Sequence, residues 1–173
     1  SAITSGKLPL KNQVLFASSA ARVAWAARVN PIPCLEFLKK NMSEIERLPA
    51  KQRYFVYAEL DILFRDFHGP SSDSFASLKD RASDYLQKDA EKDLKKWQSE
   101  LPGEAIYDRC DCLRKMAVLR RNRTPYDHES VVDIQKNAVR LYHDSGLYLD
   151  ELCTRQDIMD ELLDVRNRDE DYR

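Results

Sequence analysis

Cys110 and Cys112 are the closest pair of cysteines in the chain and the first candidates for chemistry. A zinc site needs Cys-x2-Cys or a related spacing, together with a second pair of ligands. The other sulfur and imidazole groups nearby, Cys153, His128 and His143, follow at no recognised zinc spacing. Because residues two apart on a helix point about 200° apart, we expect one buried and one exposed thiol and no metal site.

Patterns typical of catalysis are not found in the sequence. It contains no serine elbow, no glycine-rich phosphate loop and no paired-glycine dinucleotide fingerprint. His68 and His143 fall at predicted helix ends, where a cation is favoured, and His128 falls in a first turn. We therefore predict that the protein is not an enzyme and uses no cofactor, metal or small-molecule substrate.

An acidic face is predicted near the end of the chain. Asp157, Asp160, Glu161 and Asp164 are spaced i, i+3, i+4 and i+7, so they share one side of a helix. Such a face could hold a divalent cation, receive a basic partner or simply face water. No second helix with matching carboxylates and histidine accompanies it, so we favour the solvated face.

A basic cluster precedes this acidic segment. It comprises Arg114, Lys115, Arg120, Arg121 and Arg123, with Tyr126 following. Cations attract phosphates and an aromatic ring stacks on bases, so one interpretation is contact with RNA or DNA, assisted by the basic first helix. The alternatives are arginines that favour a helix C-terminus, or pairing with the acidic C-terminal third.

The composition predicts an all-α protein. The 173 residues include four glycines, which is few for a protein with many hairpins. Hydrophobic residues make up 43% and charged residues 33%, and the net charge is −1, so no global field favours nucleic acid or membrane. No apolar run is long enough for a membrane span, and the four cysteines fit free thiols in a reducing compartment. We expect an intracellular protein, cytoplasmic or nuclear.

Prolines and capping residues divide the chain into an irregular bundle of about seven helices. Residues before proline avoid helical geometry, and proline itself fits a first helical turn. The predicted helices span about 10–29, 33–48, 49–67, 73–100, 104–122, 125–145 and 149–165. Thr124 is the predicted N-cap of the sixth helix, and Gly146 its stop.

The fourth predicted helix has a polar middle. Residues 87–93 are nearly all polar and lie between two apolar stretches. We expect a single helical domain, with the alternative of two lobes, 10–86 and 94–165, bridged by this long helix. The charged segment 166–173 is predicted to be a flexible tail.

Two of the predicted helices carry more apolar residues than one buried face requires, which predicts that they bind another protein. The helix at 10–29 is rich in alanine, and the helix at 49–67 is apolar on more than one side. The last helix, by contrast, is expected to have one ordinary apolar face, formed by Leu152, Ile158 or Met159, Leu162 and Val165. We place candidate partner contacts at Trp25 and Arg28, and at Tyr54 and Tyr57 on the expected exposed side of the third helix.

A short stretch resembles a known interaction element. Residues Phe37-Leu38, Ile45-Glu46-Arg47-Leu48-Pro49, Arg53 and Leu60-Asp61-Ile62-Leu63 resemble the BESS motif of insect chromatin-associated regulators. The resemblance implies a paired-helix element that binds protein, although the motif is usually C-terminal and here lies early. We base no assignment on it.

The function predicted from the sequence is therefore a non-enzymatic helical module of a larger regulatory or assembly protein. Its partner would be another protein or a second copy of itself, as in a homodimer. The alternative is a nucleic-acid-binding domain that uses the basic cluster and the basic first helix.

Overall fold

The computed structural model is all-α, as predicted, and its described residues contain no strand. It describes residues 8–68, 70–122 and 127–171, with side chains over the same ranges except 70, 71 and 165–171. The helices are α1 (Leu10–Ala26), α2 (Ile32–Lys40), α3 (Met42–Glu46), α4 (Ala50–Asp66), α5 (Pro70–Asp73), α6 (Ala76–Lys88), α7 (Ala90–Glu100), α8 (Ile106–Arg121), α9 (His128–Asp144) and α10 (Tyr148–Asp171).

The chain divides into two compact units, residues 1–93 and 94–173. In the first unit α1 packs against α2, α3 and α4, while α4 also packs against α6. In the second unit α9 lies against both α8 and α10. None of the helices within the described ranges has the combination of length and hydropathy that crossing a membrane requires.

Prolines open the helices as their chemistry predicts. Pro9, Pro31 and Pro49 occupy the N-cap positions of α1, α2 and α4. Proline lacks an N–H, and the first N–H groups of a helix have no partner within the helix, so nothing is lost at these sites. The predicted helix 33–48 is nevertheless two helices, because the chain turns at Asn41 between α2 and α3.

The long helix predicted at 73–100 is wrong. Helix α6 ends at Lys88, Asp89 forms a turn, and α7 starts at Ala90. The direction of burial changes at this turn, since at 100° per residue the buried positions before Asp89 and those after it are displaced by roughly 120° around the helix. The buried side chains are Leu78, Ala82 and Tyr85 before the turn, and Ala90, Leu94 and Trp97 after it.

The core of the first unit is built around α4. Its largest fully buried apolar side chains come from five helices. They are Val14 of α1, Leu35 and Leu38 of α2, Ile45 of α3, Val56, Tyr57, Leu60 and Leu63 of α4, and Leu78 and Tyr85 of α6. Burial of aliphatic and aromatic surface on this scale supplies the main stabilisation of the unit.

The core of the second unit contains both thiols of the Cys-x-Cys pair. The prediction that one is exposed is wrong, since Cys110 and Cys112 are each fully buried. Helix α8 is enclosed on more than one side, as its buried Leu113, Met116 and Leu119 also show. Burial raises the pKa of the Cys110 thiol, so this group stays protonated and unreactive at neutral pH.

Two helices end in the same hydrogen-bonded motif. At the end of α1, the N–H of Val29 donates to Ala24 O, and that of Arg28 donates to Trp25 O. At the end of α9, Leu147 donates to Tyr142 O and Gly146 to His143 O. This is the Schellman arrangement, whose αL residue is usually glycine. Gly146 has φ of 71°, but in α1 the position is held by Arg28 with φ of 58°.

The remaining boundaries differ in detail from those predicted. Asp127 caps α9, and its carboxylate accepts a hydrogen bond from the Ser130 N–H at 3.1 Å. The predicted cap Thr124 lies outside the described residues. Helix α10 continues to Asp171, past the predicted end at 165, and the side chains of the predicted tail 166–173 are not described.

Candidate functional site

Two ion pairs with tyrosines form a polar network inside the first unit. Glu46 Oε1 accepts hydrogen bonds from the Tyr57 hydroxyl at 2.5 Å and from Arg81 Nε at 2.7 Å. Its neighbour is Asp93, which accepts two hydrogen bonds from Arg53, at 2.6 and 2.7 Å. The network therefore ties α3, α4 and α6 to the first turn of α7.

The two ion pairs are joined by two tyrosine rings that pack against each other at an angle of 32°. The Tyr85 hydroxyl donates to Asp93 at 2.7 Å, and the rings of Tyr57 and Tyr85 lie 4.5 Å apart. Arg53 also donates to the backbone oxygen of Glu46 at 2.6 Å, which joins the two halves. Each named carboxylate is matched by a cation and a hydroxyl, so the arrangement is typical of structural stabilisation.

The pKa shifts in this network keep the donors protonated. Hydrogen bonding from Arg81 lowers the pKa of Glu46, so this carboxylate stays charged to lower pH than usual. Burial and the neighbouring carboxylates raise the pKa of Tyr57 and of Tyr85. Neither tyrosine is therefore a candidate for a base near neutral pH.

The predicted exposure of Tyr54 and Tyr57 is wrong. The exposed fractions of these residues are 8% and 0%. Tyr57 points inward because its hydroxyl finds Glu46 and its ring packs on Tyr85. In this fold neither ring is presented to a partner.

Trp25 and Arg28 do line one groove together. It has a volume of about 770 Å³ and is otherwise bordered mainly by apolar side chains, among them Val29, Ile32, Ile62 and Phe67. The Trp25 ring meets the edge of Phe67 at 5.1 Å and is half-buried. Arg28 is exposed at the rim, in the left-handed conformation that side chains rarely adopt.

The basic cluster of α8 is largely engaged by neighbouring groups. Lys115 Nζ bonds both oxygens of Asp111 at 2.5 Å. Arg120 donates to the Ser130 hydroxyl, and Arg121 pairs with Glu161 of α10. Arg123 and Tyr126 lie outside the described residues.

Part of the basic cluster and the acidic face meet in one cleft of the second unit. Helices α8, α9 and α10 enclose a volume of about 480 Å³. Arg114 and Arg121 line it beside all four carboxylates of the predicted acidic face, Asp157, Asp160, Glu161 and Asp164. A phosphate entering here would meet more negative than positive charge. The acidic face is also not wholly solvated, because Glu161 is buried.

Helix α10 turns polar side chains toward the rest of its unit and apolar side chains toward solvent. The face that packs inward carries Glu151, Thr154 and Glu161, all buried. The Glu151 carboxylate contacts His143 Nδ1 at 3.0 Å and accepts from Arg155 Nε at 2.8 Å. The opposite face carries exposed Leu149, Leu152, Met159 and Leu163, while Leu162 is exposed on the side of the helix near Glu151.

Helix α10 carries more exposed large apolar side chains than any other described helix. Their exposed fractions run from 46% to 74%. The stripe that the sequence analysis assigned to this helix contained Leu152, Met159 and Leu162, which the structure places outward. Spacing identified the apolar residues, but the direction of the stripe depends on where α9 packs.

Sequence reasoning missed the Glu46 and Asp93 network. Helical spacing does not connect Glu46 with Arg53 and Tyr57, because Pro49 separates the two helices that carry them. Asp93 was placed in a polar bridge between two lobes because residues 87–93 are polar, whereas it is 5% exposed. Among the side chains that the structure describes, no group of three or more His, Cys, Asp or Glu residues is placed to hold a metal ion.

No protein-family model matches the chain, and neither a curated protein nor a solved structure shows significant similarity to it.

Proposed function

We propose that the chain is a non-enzymatic helical interaction module that binds a second copy of itself through the outward face of α10. The observation that carries the proposal is the reversal of this helix, which buries Glu151 and Glu161 and leaves a row of leucines exposed. An exposed apolar stripe of this kind is typical of an interaction surface. Its burial would remove apolar surface from water, which is the main driving force of association.

The spacing of the stripe favours another helix as occupant. Leu149, Leu152, Gln156, Met159 and Leu163 follow one another at intervals of three, four, three and four residues. This is the a/d pattern of a coiled coil, in which two helices pair along such a seam. Four of the five positions are apolar.

The polar side chains favour an identical, parallel partner. Gln156 lies in the middle of the seam, and in a symmetric pair it would meet its own counterpart and exchange amide hydrogen bonds with it. Arg155 and Asp160 flank the seam at g and e positions five residues apart. In a parallel dimer these positions face each other across the interface, so opposite charges meet.

Solution mass tests the proposal. The wild-type chain is expected to sediment as a dimer at high concentration and to dissociate on dilution. Leu152→Glu combined with Met159→Glu should leave a folded monomer, because it places two charges on each side of the seam. The matched control is Val23→Glu, which charges an equally exposed apolar site on α1. A wild type that is monomeric at every concentration, or a double variant that stays dimeric, contradicts the proposal.

We also propose that the bundle is irregular and consists of two lobes, which the division of the chain near residue 93 supports.

Nucleic-acid binding is the alternative function. It has less support than self-association, because Arg121 pairs with Glu161 and Lys115 with Asp111. It predicts salt-sensitive retention of RNA or DNA that is lost when Arg120, Arg121 and Arg123 are changed to Glu.

A further inference from the structure

The groove at the ends of α1 and α4 has an apolar surface that solvent reaches. Val29 and Ile62 on its walls are 59% and 47% exposed, and Trp25 and Ile32 are half-buried. Its volume of about 770 Å³ falls within the range of roughly 300–1,000 Å³ that is usual for binding clefts. The groove therefore has room for apolar side chains from outside the unit, and their burial there would be favourable.

Two free charges of opposite sign border this groove. Arg28 follows the end of α1 and Asp66 is the last residue of α4, and both are exposed. Neither forms an ion pair or a side-chain hydrogen bond with any described residue. The third charged residue of the groove, Arg22, is paired with Glu59. A partner that brings an acid to Arg28 and a base to Asp66 would match both charges.

Arg28 keeps its position in spite of backbone strain. Its φ of 58° lies in the left-handed region, which glycine fills at the equivalent position of α9, Gly146. Strained residues of this kind cluster at binding sites, where the side chain contributes what the backbone does not need. Here that contribution is a guanidinium at the edge of an apolar groove, and a guanidinium binds a carboxylate through two parallel hydrogen bonds.

The known modes of peptide recognition narrow the form of the partner. The described residues contain no strand, so they offer no sheet edge to which an extended segment could add. Proline-rich ligands dock between exposed aromatic rings, whereas Phe67, one of the two rings in the groove, is buried. A helix that lays an apolar stripe into the groove is the remaining common mode.

A second copy of the chain is a poorer occupant than another protein. It would have to insert a surface other than its own groove, which makes a head-to-tail contact. Contacts of this type continue into rings or open filaments instead of closing in a pair.

We propose that this groove binds an amphipathic helix of another protein, with an acid on one side of its apolar stripe and a base on the other. The stripe contacts Trp25, Val29 and Ile62, the acid pairs with Arg28, and the base pairs with Asp66. The groove belongs to the first unit and the outward face of α10 to the second, so the proposal does not rest on self-association.

A displayed library of helical peptides provides the probe. The peptides are about 15 residues long, the length at which isolated helices become marginally stable, and carry leucines at i, i+4 and i+7. The flanking positions are drawn from Asp, Lys and Ala. Selection uses the full chain, after removal of peptides that also bind the Ile62→Glu variant, which discards ligands of α10. The retained peptides are expected to carry an acid on one side of the leucines and a base on the other.

A charge exchange assigns the acid of a retained peptide to Arg28. Arg28→Glu should weaken binding by up to about tenfold, because one attraction is lost and a repulsion is added. Replacing the acid of the peptide by Lys should recover most of this loss. Calorimetry measures binding, and circular dichroism checks that each variant is folded.

The matched control is Lys11→Glu. It reverses an exposed cation at the other end of α1, outside the groove, and should change binding by less than about twofold because salt screens distant charges. Asp66→Lys, tested with a peptide whose base is replaced by Asp, repeats the exchange on the α4 side.

Three results would overturn the proposal. One is that no peptide distinguishes the wild type from Ile62→Glu, and another is that wild type and Arg28→Glu select peptides of the same charge pattern. The third is a loss of self-association on sedimentation of Ile62→Glu but not of Val23→Glu, which would assign the groove to a second copy. A wild type that is monomeric throughout contradicts only self-association through α10, since the peptide selection does not depend on it.

Discussion

Helices α4 and α10 both carry large apolar side chains on most turns, yet they direct them oppositely within their own units. Helix α4 buries Tyr57, Leu60 and Leu63 against its neighbours α1 and α6. Helix α10 buries Glu151 and Glu161 and leaves its leucines in solvent. The number of apolar residues is thus a poor guide to burial. The position of the polar residues distinguishes a completed core helix from one that still has a surface to cover.

The same substitution in the two helices should have the most different effects on the free energy of unfolding. Leu60→Ala in α4 is expected to lower the free energy of unfolding by about 2–5 kcal/mol, because it leaves a cavity in a packed core. Leu152→Ala in α10 should change it by roughly 0.5 kcal/mol or less, because the side chain is exposed. Urea unfolding at concentrations where the chain is monomeric measures both.

Equal losses in the two variants would mean that the outward face of α10 is part of a core. Such a result would remove the basis for treating α10 as an interface.

The second effect concerns the buried ion pair that closes the first unit. Asp93→Ala should cost about 3 kcal/mol in unfolding free energy, since it strands Arg53 and the Tyr85 hydroxyl. Asp61→Ala, which removes the exposed helical pair with Arg65, is the control and should cost less than about 1 kcal/mol. A similar small loss for both would show that the Asp93 network does not hold the first turn of α7 in place within the first unit.

The third effect is a pH dependence centred on Glu46. Its pKa is lowered in the folded state, mainly by the hydrogen bond from Arg81. A carboxyl whose pKa is lowered on folding stabilises the fold above its unfolded pKa of about 4.3 and loses that contribution as the pH falls through the folded value. Glu46→Gln should therefore be less stable than wild type at neutral pH, by about 1 kcal/mol because the group is partly exposed.

The difference between Glu46→Gln and wild type should shrink as the pH falls below about 4.3. Chemical unfolding at a series of pH values gives the comparison, and Glu44→Gln, which alters a surface pair with Arg47, is the control. A difference that stays constant down to strongly acidic pH would show that the charge of Glu46 is not responsible.

The smallest expected effect lies at the two Schellman ends. Arg28→Gly should stabilise the protein by up to about 1 kcal/mol, because glycine adopts a positive φ without strain. Gly146→Ala should destabilise it by about 1 kcal/mol, although no atom lies within 4 Å of the new Cβ, because only the backbone conformation is strained. Thermal unfolding of both variants provides the measurement. If Arg28→Gly is destabilising instead, the arginine side chain itself contributes a contact at the groove.

Much of the helical layout could be predicted because local chemistry decides it. Proline and glycine restrict or free the backbone wherever they stand, so Pro9, Pro49 and Gly146 lie at helix ends as their types indicate. The turn at Asp89 could not be read from polarity. The turn accompanies a change in the direction of burial, and Asp93 just after it pairs with Arg53, which lies forty residues earlier in the chain.

The predicted partner contacts in α4 were wrong because the sequence does not show which side of a helix is buried. Tyr57 and Leu152 sit in apolar stripes of similar appearance, yet one is fully buried and the other exposed. The meeting of Arg121 with Glu161 likewise depends on tertiary packing, although both charged segments were visible in the sequence. Stripes and charge clusters identify surfaces, whereas their partners are set by the fold.

A cross-link at the centre of the α10 seam tests the central claim most directly. In a parallel symmetric pair the two copies of residue 156 face each other at a distance that a disulfide can span. With Cys153, an exposed thiol, replaced by Ser, Gln156→Cys is expected to form a covalent dimer under mild oxidation. Val23→Cys in the same background should remain monomeric. Cross-linking of Gln156→Cys that is absent, or no faster than that of Val23→Cys, would contradict self-association through α10.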